Sequence, residues 1–360
     1  MIARETLTWP RYMRLWLIGL ALVAGAAVLS MYLGADVQRR GGWLPVEWGW
    51  PGPEVWHFRW YRVLSAALVG FALAASGVAL QSLLRNPLAD PYVLGVSSGA
   101  SVGVLVYLIF AAPLYAWALA RGGWAVELVG QGATLTAIAG AIATSAAVFV
   151  LARAGGGGAG AGGGIDPLTL LLVGIVVSAI NSALIMFLNA MAPHGLKVEL
   201  MRYMMGTISE SNTRDGLIIA GAIMAAAYLP LLMASNALNV ASLSDVEAAS
   251  LGVRIERLRT MSFVCSSLLT AVAIALAGPI GFVGLICPHI CRLVLGPDHR
   301  QLMVAAPLVG AAFLMLADTF VRASAMMFYG QLPVGVITAI CGGPFFLLLL
   351  KRRNLVGGDA

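Results

Sequence analysis

The 360-residue chain is 60% hydrophobic and only 11% charged, with a mean hydropathy of +0.90. A soluble domain carries roughly 25% charged residues because its surface must face water. Lipid must therefore be the solvent for much of this chain, which excludes an enzyme working in water. The formal net charge of +6 comes from basic residues scattered singly between apolar runs. That scatter fits loop arginines that set topology and not a nucleic-acid surface.

A spanning helix needs roughly 20 apolar residues. Taken in chain order, that length gives ten candidate spans, at 12–33, 60–84, 92–112, 128–152, 167–190, 216–234, 259–276, 279–296, 303–323 and 333–350. The first follows Arg4, Arg11 and Arg14, is too long for a signal-peptide core and has no small-residue cleavage site after it. It reads as a retained helix with its basic end in the cytoplasm. An even number of spans puts both termini on one side, and the closing Lys351-Arg352-Arg353 puts that side in the cytoplasm. The loop 235–258, with Arg254 and Arg257, is then cytoplasmic. The loop 34–59 is extracytoplasmic, where Arg39 and Arg40 run against the positive-inside rule. Residues 1–360 form one membrane domain by this reading.

The glycine run from Gly155 to Gly164 lies between the fourth and fifth spans. No Gly-Lys-Ser/Thr follows it, so it reads as a flexible linker and not as a phosphate loop. Nucleotide hydrolysis by that route is not available to this chain. The seventh and eighth spans share an apolar stretch broken only by Gly278-Pro279 and the glycines at 281 and 284. Such breaks mark discontinuous helices, tolerated where protein or a cavity surrounds the freed backbone. Cys265, Cys287, Cys291 and Cys341 all fall in apolar segments and read as small buried residues. Cys287 and Cys291, four apart on a helix, share a face and are soft-metal ligand types. His289 points elsewhere and no fourth ligand is evident, so no metal site is assigned. Asp318 is a buried carboxylate near the outer end of the ninth span, open to a proton-relay reading or to hydrogen bonding with its neighbours.

The most informative stretch runs from Gln81 to Pro91, a polar turn with Arg85, Asn86 and Asp90 between two apolar helices. It leads into Leu94-Gly95-Val96-Ser97-Ser98-Gly99-Ala100. Other separated stretches accompany it: Arg59-x-x-Arg62 with Val69-Gly70 and Ser76-Gly77, then Glu247 through Gly252 and Gly278 through Leu285 with Pro288-His289 and Arg292. Ala317-Asp318 with Arg322, Leu332 through Val336 and Gly343-Pro344-Phe345-Phe346 complete the set. Together they resemble the permease subunits of binding-protein-dependent ABC importers (type II importers) for iron-siderophores, haem and vitamin B12. The resemblance spans nearly the whole chain in family order.

The resemblance implies an all-α polytopic fold of about ten transmembrane helices, like that of the vitamin B12 permease, in a bacterial inner membrane. It implies a homodimer with the pathway between subunits, two cytoplasmic ATPase subunits, an extracytoplasmic substrate-binding protein and no cofactor in this chain. Alternating access would carry an iron chelate or cobalamin inward. An ion-coupled secondary transporter is the alternative, and Asp318 is nearly its only candidate for an embedded coupling charge. By the same match Arg59, Arg62 and Arg322 dock acidic residues of the binding protein, with snorkelling from helix ends as the competing account. Ser244, Asp245, Glu247, Ala248, Ala249, Leu251, Gly252 and Val253 form the helix that couples to the ATPase.

Ser178, Ser182, Ile185 and Asn189, at spacings of four, three and four, lie on one face of the fifth span. In the family that helix lines the pathway, and hydrogen bonding between helices is the other account of its polar residues. Asn86, Leu88, Asp166 and Pro167 fall near the cytoplasmic gate, and Pro193 and His194 near the outer one. Asp166-Pro167 and Pro193-His194 depart from the hydroxyl residues frequent there. Trp43, Trp48, Trp50, Trp56 and Trp60 crowd the first outer loop in the manner of an interfacial belt.

Overall fold

The fold was analysed in a computed structural model that describes residues 9–35, 46–155, 167–208, 212–242, 245–324 and 332–356. In chain order the helices are α1 (Trp9–Tyr32), α2 (Pro53–Leu83), α3 (Val96–Arg121), α4 (Gly123–Gly130), α5 (Gly132–Gly155), α6 (Pro167–Met191) and α7 (His194–Met204). They continue with α8 (Arg214–Met233), α9 (Ser235–Ala241), α10 (Asp245–Ser250), α11 (Ile255–Ala277), α12 (Val283–Leu295), α13 (His299–Ser324) and α14 (Val334–Val356). A short antiparallel pair, β1 (Leu33–Ala35) with β2 (Val46–Trp48), joins α1 to α2.

Every one of the ten apolar segments is a helix, and the fold is that of an all-α membrane protein. Among the described residues α1, α2, α5, α6, α8, α11 and α13 are each long and apolar enough to cross a bilayer. α3 passes the same length and composition test only as a bent pair, Val96–Ala111 and Pro113–Arg121, at 67°. α12 and α14 are shorter apolar helices. At 1.5 Å per residue the 13 residues of α12 rise about 20 Å, short of the ~30 Å hydrocarbon core.

The missing depth at α12 is made up by the break that the sequence marks at Gly278-Pro279. α11 stops at Ala277 because Gly278 turns left-handed (φ 66) and Pro279 has no N–H to continue the ladder. A Cβ on Gly278 would overlap the carbonyl of Tyr203, so the turn is also a close backbone approach. Gly206 packs against Pro279, and the Gly335 N–H donates to the Gly206 carbonyl at 3.1 Å. Three interrupted backbones thus pack against one another, and one hydrogen bond joins two of them, inside protein and not in lipid.

α2, α11 and α13 form the centre. The apolar window of α2 is 78% buried within the subunit, against 17% for α1 and 22% for α6. Small residues allow the approach. Gly70 faces Gly310 of α13 backbone to backbone, and Gly77 faces Gly284 of α12. The Ser76 and Thr270 hydroxyls meet at 2.9 Å between α2 and α11.

Candidate functional site

Polar side chains gather at the two ends of α2. At its beginning, Arg59 and Arg62 are 8% and 3% exposed, and Arg322 of α13 is 8% exposed. Arg62 grips Asp318 with both arms of its fork, Nε at 3.0 Å and Nη2 at 2.9 Å. Arg322, one turn beyond Asp318, reaches the same carboxylate through Nε at 3.2 Å. Buried charges of this kind persist only when paired. Other donors run to α1. Arg59 Nη1 donates to the Met31 carbonyl and Arg322 Nη2 to the Ser30 carbonyl, each at 2.9 Å. Those carbonyls belong to the last turn of α1, which has no intrahelical donors left for them. The three arginines of the sequence reading are therefore brought together, inside the subunit, around the one carboxylate the sequence also singled out. Hydrogen bonding to neighbours is the role Asp318 has here.

At the far end of α2, the Gln81–Pro91 stretch is a hub. Gln81 Nε2 donates to the Gly284 carbonyl at 3.3 Å, and Gln81 Oε1 accepts from Arg292 Nη2 at 2.9 Å. Arg85 adopts a left-handed φ of 47° and donates through Nε and Nη2 to the Ala241 carbonyl, at 3.1 and 3.0 Å. The same guanidinium pairs with Asp245. Asn86 Oδ1 accepts from the Leu88 N–H at 3.0 Å, which closes the turn and accounts for Asn at this position.

Asp90, in the turn joining α2 to α3, accepts from the Tyr92 N–H at 2.9 Å and from the backbone of Phe282. Asp90 is half-buried, and burial lifts its carboxyl pKa from the ordinary 3.8 to about 6, against the pull of those two hydrogen bonds. A raised carboxyl pKa means the folded state holds the proton more tightly, so stability falls as pH rises from about 4 to about 6. Two units correspond to about 3 kcal/mol. Asp90→Asn is expected to melt higher than wild type at pH 7.5, with the gap closing at pH 4; equal gaps at both pH values in thermal melts of the detergent-solubilised protein would contradict this.

The expected coupling segment forms α10. Glu247, Ala249, Leu251 and Gly252 are exposed, Ala248 is buried and Val253 is half-buried. Ser244 lies outside the described residues, as does Asp166 of the expected inner gate. Pro167 begins α6, Leu88 is half-buried, and Pro193 caps α7, which His194 begins. On α6, Ser178 and Asn189 are half-buried, Ser182 is exposed and donates back to the Ser178 carbonyl at 2.8 Å, and Ile185 is buried. The four thus share a side of the helix without sharing an environment. The sequence reading missed Asn181, whose amide donates to Ser98 Oγ at 3.1 Å and Thr144 Oγ1 at 3.3 Å, tying α6 to α3 and α5. An amide in a 25-residue apolar helix was the available signal.

Cys265, Cys287 and Cys291 are buried as expected, whereas Cys341 on α14 is exposed on the isolated subunit. The His289 ring meets the Phe345 ring at 6.0 Å edge to face. Among the described residues no group of His, Cys, Asp and Glu has metal-binding geometry. Trp50, Trp56 and Trp60 are exposed beside the start of α2, with the Trp50 and Trp56 rings 5.9 Å apart.

Many helices apolar and long enough to cross a bilayer, packed round a central one with arginine centres at both ends, define a multi-pass membrane protein. The chain belongs to the FecCD transport family, whose model matches residues 49–352. It is 36% identical over 81% of its length to a probable iron chelatin transport system permease protein of Helicobacter pylori strain J99, covering 81% of that protein. It is 35% identical to the hemin transport system permease protein HmuU of Yersinia pestis, with 83% of this chain and 85% of that one aligned. With the vitamin B12 import system permease protein BtuC of Salmonella paratyphi A it shares 33% identity over 94% and 95% of the two chains. A solved structure, described as an inward-facing conformation of a metal-chelate type ABC transporter, superimposes with a TM-score of 0.73 at 28% identity. That match covers 95% of this chain and 99% of the other.

Proposed function

We propose that this permease imports an iron chelate, as a homodimer driven by two ATPase subunits and fed by an extracytoplasmic binding protein. The observation that carries the reading is the segregation of chemistry to the two ends of α2. One end gathers Arg59, Arg62 and Arg322 near Asp318, guanidiniums of the kind that take acidic groups on a docking protein. The other end presents α10, with Val246 and Leu251 turned outward at 80% and 65% exposure, as a ridge for a partner's groove. The names of the relatives support a cargo in the class of iron chelates, haem and cobalamin. On this reading the Arg59 end and Trp50, Trp56 and Trp60 beside it are extracytoplasmic, and α10 and both termini are cytoplasmic. Alternating access then opens the pathway between subunits, lined by α6, to each side in turn.

The test is uptake by proteoliposomes holding the complex of this chain with the ATPase and binding protein encoded beside it, offered ferric siderophores, haem and cobalamin. Ferric siderophore uptake is expected. Arg59→Ala with Arg62→Ala should weaken binding-protein docking roughly tenfold or more. A complex that assembles and hydrolyses ATP but admits only haem or cobalamin would overturn the cargo, and unchanged docking would overturn the role of the arginines.

A further inference from the structure

The coupling segment carries two acidic residues near its start, and they do different things. Glu247 lies on the exposed side of α10 with Val246 and Leu251. Asp245, the first residue of α10, turns back toward the membrane helices. Its Oδ1 pairs with Arg85 at the end of α2, and its two oxygens accept from Arg259 Nη2 in α11 at 3.0 and 3.1 Å. Arg85 also holds the Ala241 carbonyl at the end of α9, so one guanidinium grips both flanks of the α9–α10 link. On the α9 side of that link, Asn239 donates to Asp298 at 2.7 Å and accepts from the His299 N–H at 2.7 Å, at the start of α13.

We propose that Asp245 is a positioning residue that joins α10 to α2 and α11, so that a push on α10 from an ATPase moves the two central helices together. This rests on the importer reading above and goes beyond it: Asp245 acts on this chain's own arginines, not on the ATPase. Three features carry it. The carboxylate is shared between Arg85, in the turn that closes α2, and Arg259 of α11, which a surface pair serving α10 alone would not need. The Asp245 and Arg85 side chains are 49% and 35% exposed, and ion pairs that open to water add little to folding stability. The geometry therefore bears on where α10 sits more than on whether the protein folds. A partner seated on α10 would also exclude water and strengthen both pairs. α2 ends at Leu83, two residues before Arg85, and runs back to Arg62, whose own carboxylate partner is on α13, so the joint adjoins the rod that carries the Arg62 pair at its other end.

Two readouts test it. In the chain alone, in nanodiscs, backbone amides of 246–253 should exchange with deuterium at least tenfold faster in Asp245→Asn than in wild type, while those of α13 keep their rates. In the complete complex, ferric siderophore imported per ATP hydrolysed should fall at least tenfold in Asp245→Asn and about as far in Arg259→Gln. Asp245→Glu, which keeps the charge, should stay within about twofold of wild type. Unchanged exchange in 246–253, or an import ratio within twofold of wild type in Asp245→Asn, would overturn the joint. So would an equal loss in Asp245→Glu, which also decides the matter if Asp245→Asn fails to assemble. If the wild-type chain binds no ATPase, the importer reading fails instead, and the exchange measurement still reports whether Asp245 fixes α10.

Discussion

Asp318→Ala is expected to be the most damaging single replacement in the chain, costing about 3–5 kcal/mol, the range for breaking a buried ion pair by removing one partner. Asp318 is 1% exposed and is the shared acceptor of Arg62 and Arg322, themselves 3% and 8% exposed. Without it two guanidiniums stay buried among helices without the carboxylate they share, and Arg59 stands nearby. α1 should loosen with them, because its last turn is fastened by Arg59 and Arg322 and little of the rest of the helix is buried. The measurement is the temperature at which the detergent-solubilised protein loses its monodisperse peak. A companion variant separates stability from docking. Replacing Arg62, Asp318 and Arg322 together by leucine removes all of the charges that need one another, and such wholesale replacement is often neutral or stabilising. The triple variant should melt above Asp318→Ala and still fail to respond to the binding protein. A triple variant less stable than Asp318→Ala would mean that the cluster contributes net stability of its own.

The second large effect is expected at Gly77, and its sign is the diagnostic. In an unhindered helix Gly→Ala gains roughly 1 kcal/mol. A Cβ on Gly77 would overlap the Gly284 backbone, and Gly284 cannot retreat, because its carbonyl is held by Gln81 and it begins the helix that follows the Gly278 break. Gly77→Ala should therefore destabilise by about 1–3 kcal/mol, the cost of overpacking a tight interface, and Gly77→Val by more. Gly221, in α8, has nothing within 4 Å of its Cβ position, so Gly221→Ala should be neutral or stabilising under the same melt. Equal responses at the two glycines would mean that α2 and α12 do not approach through their backbones.

Much of this fold is legible in the sequence because a bilayer imposes one requirement, a long apolar run, that needs no partner to be recognised. All ten segments were helices, with ends shifted by up to nine residues, and the Gly278-Pro279 break announced the short α12. Short interfacial helices such as α4 and α7 carry no comparable run and did not stand out. The arginine centre was half legible. Asp318 and Arg322 stand four apart on one helix, a pairing that periodicity predicts. Arg62 is 256 positions away, and only the packing of α2 on α13 brings it to the same carboxylate. The inward turn of Asp245 was hidden for the same reason: sequence places it on α10, but its arginine partners depend on where α2 ends and α11 begins. On α6 the spacing argument found Ser178, Ser182 and Asn189 and passed over Asn181, which has a cross-helix partner on each side.

The central claim is that ATP, and not an ion gradient, drives cargo through this chain. The most direct test is accumulation of a ferric siderophore in proteoliposomes of the complete complex, with ionophores collapsing the proton and sodium gradients. Uptake that persists under the ionophores and stops when ATP is withheld is the expected result; uptake that ignores ATP and stops with the gradients would make this chain a secondary transporter.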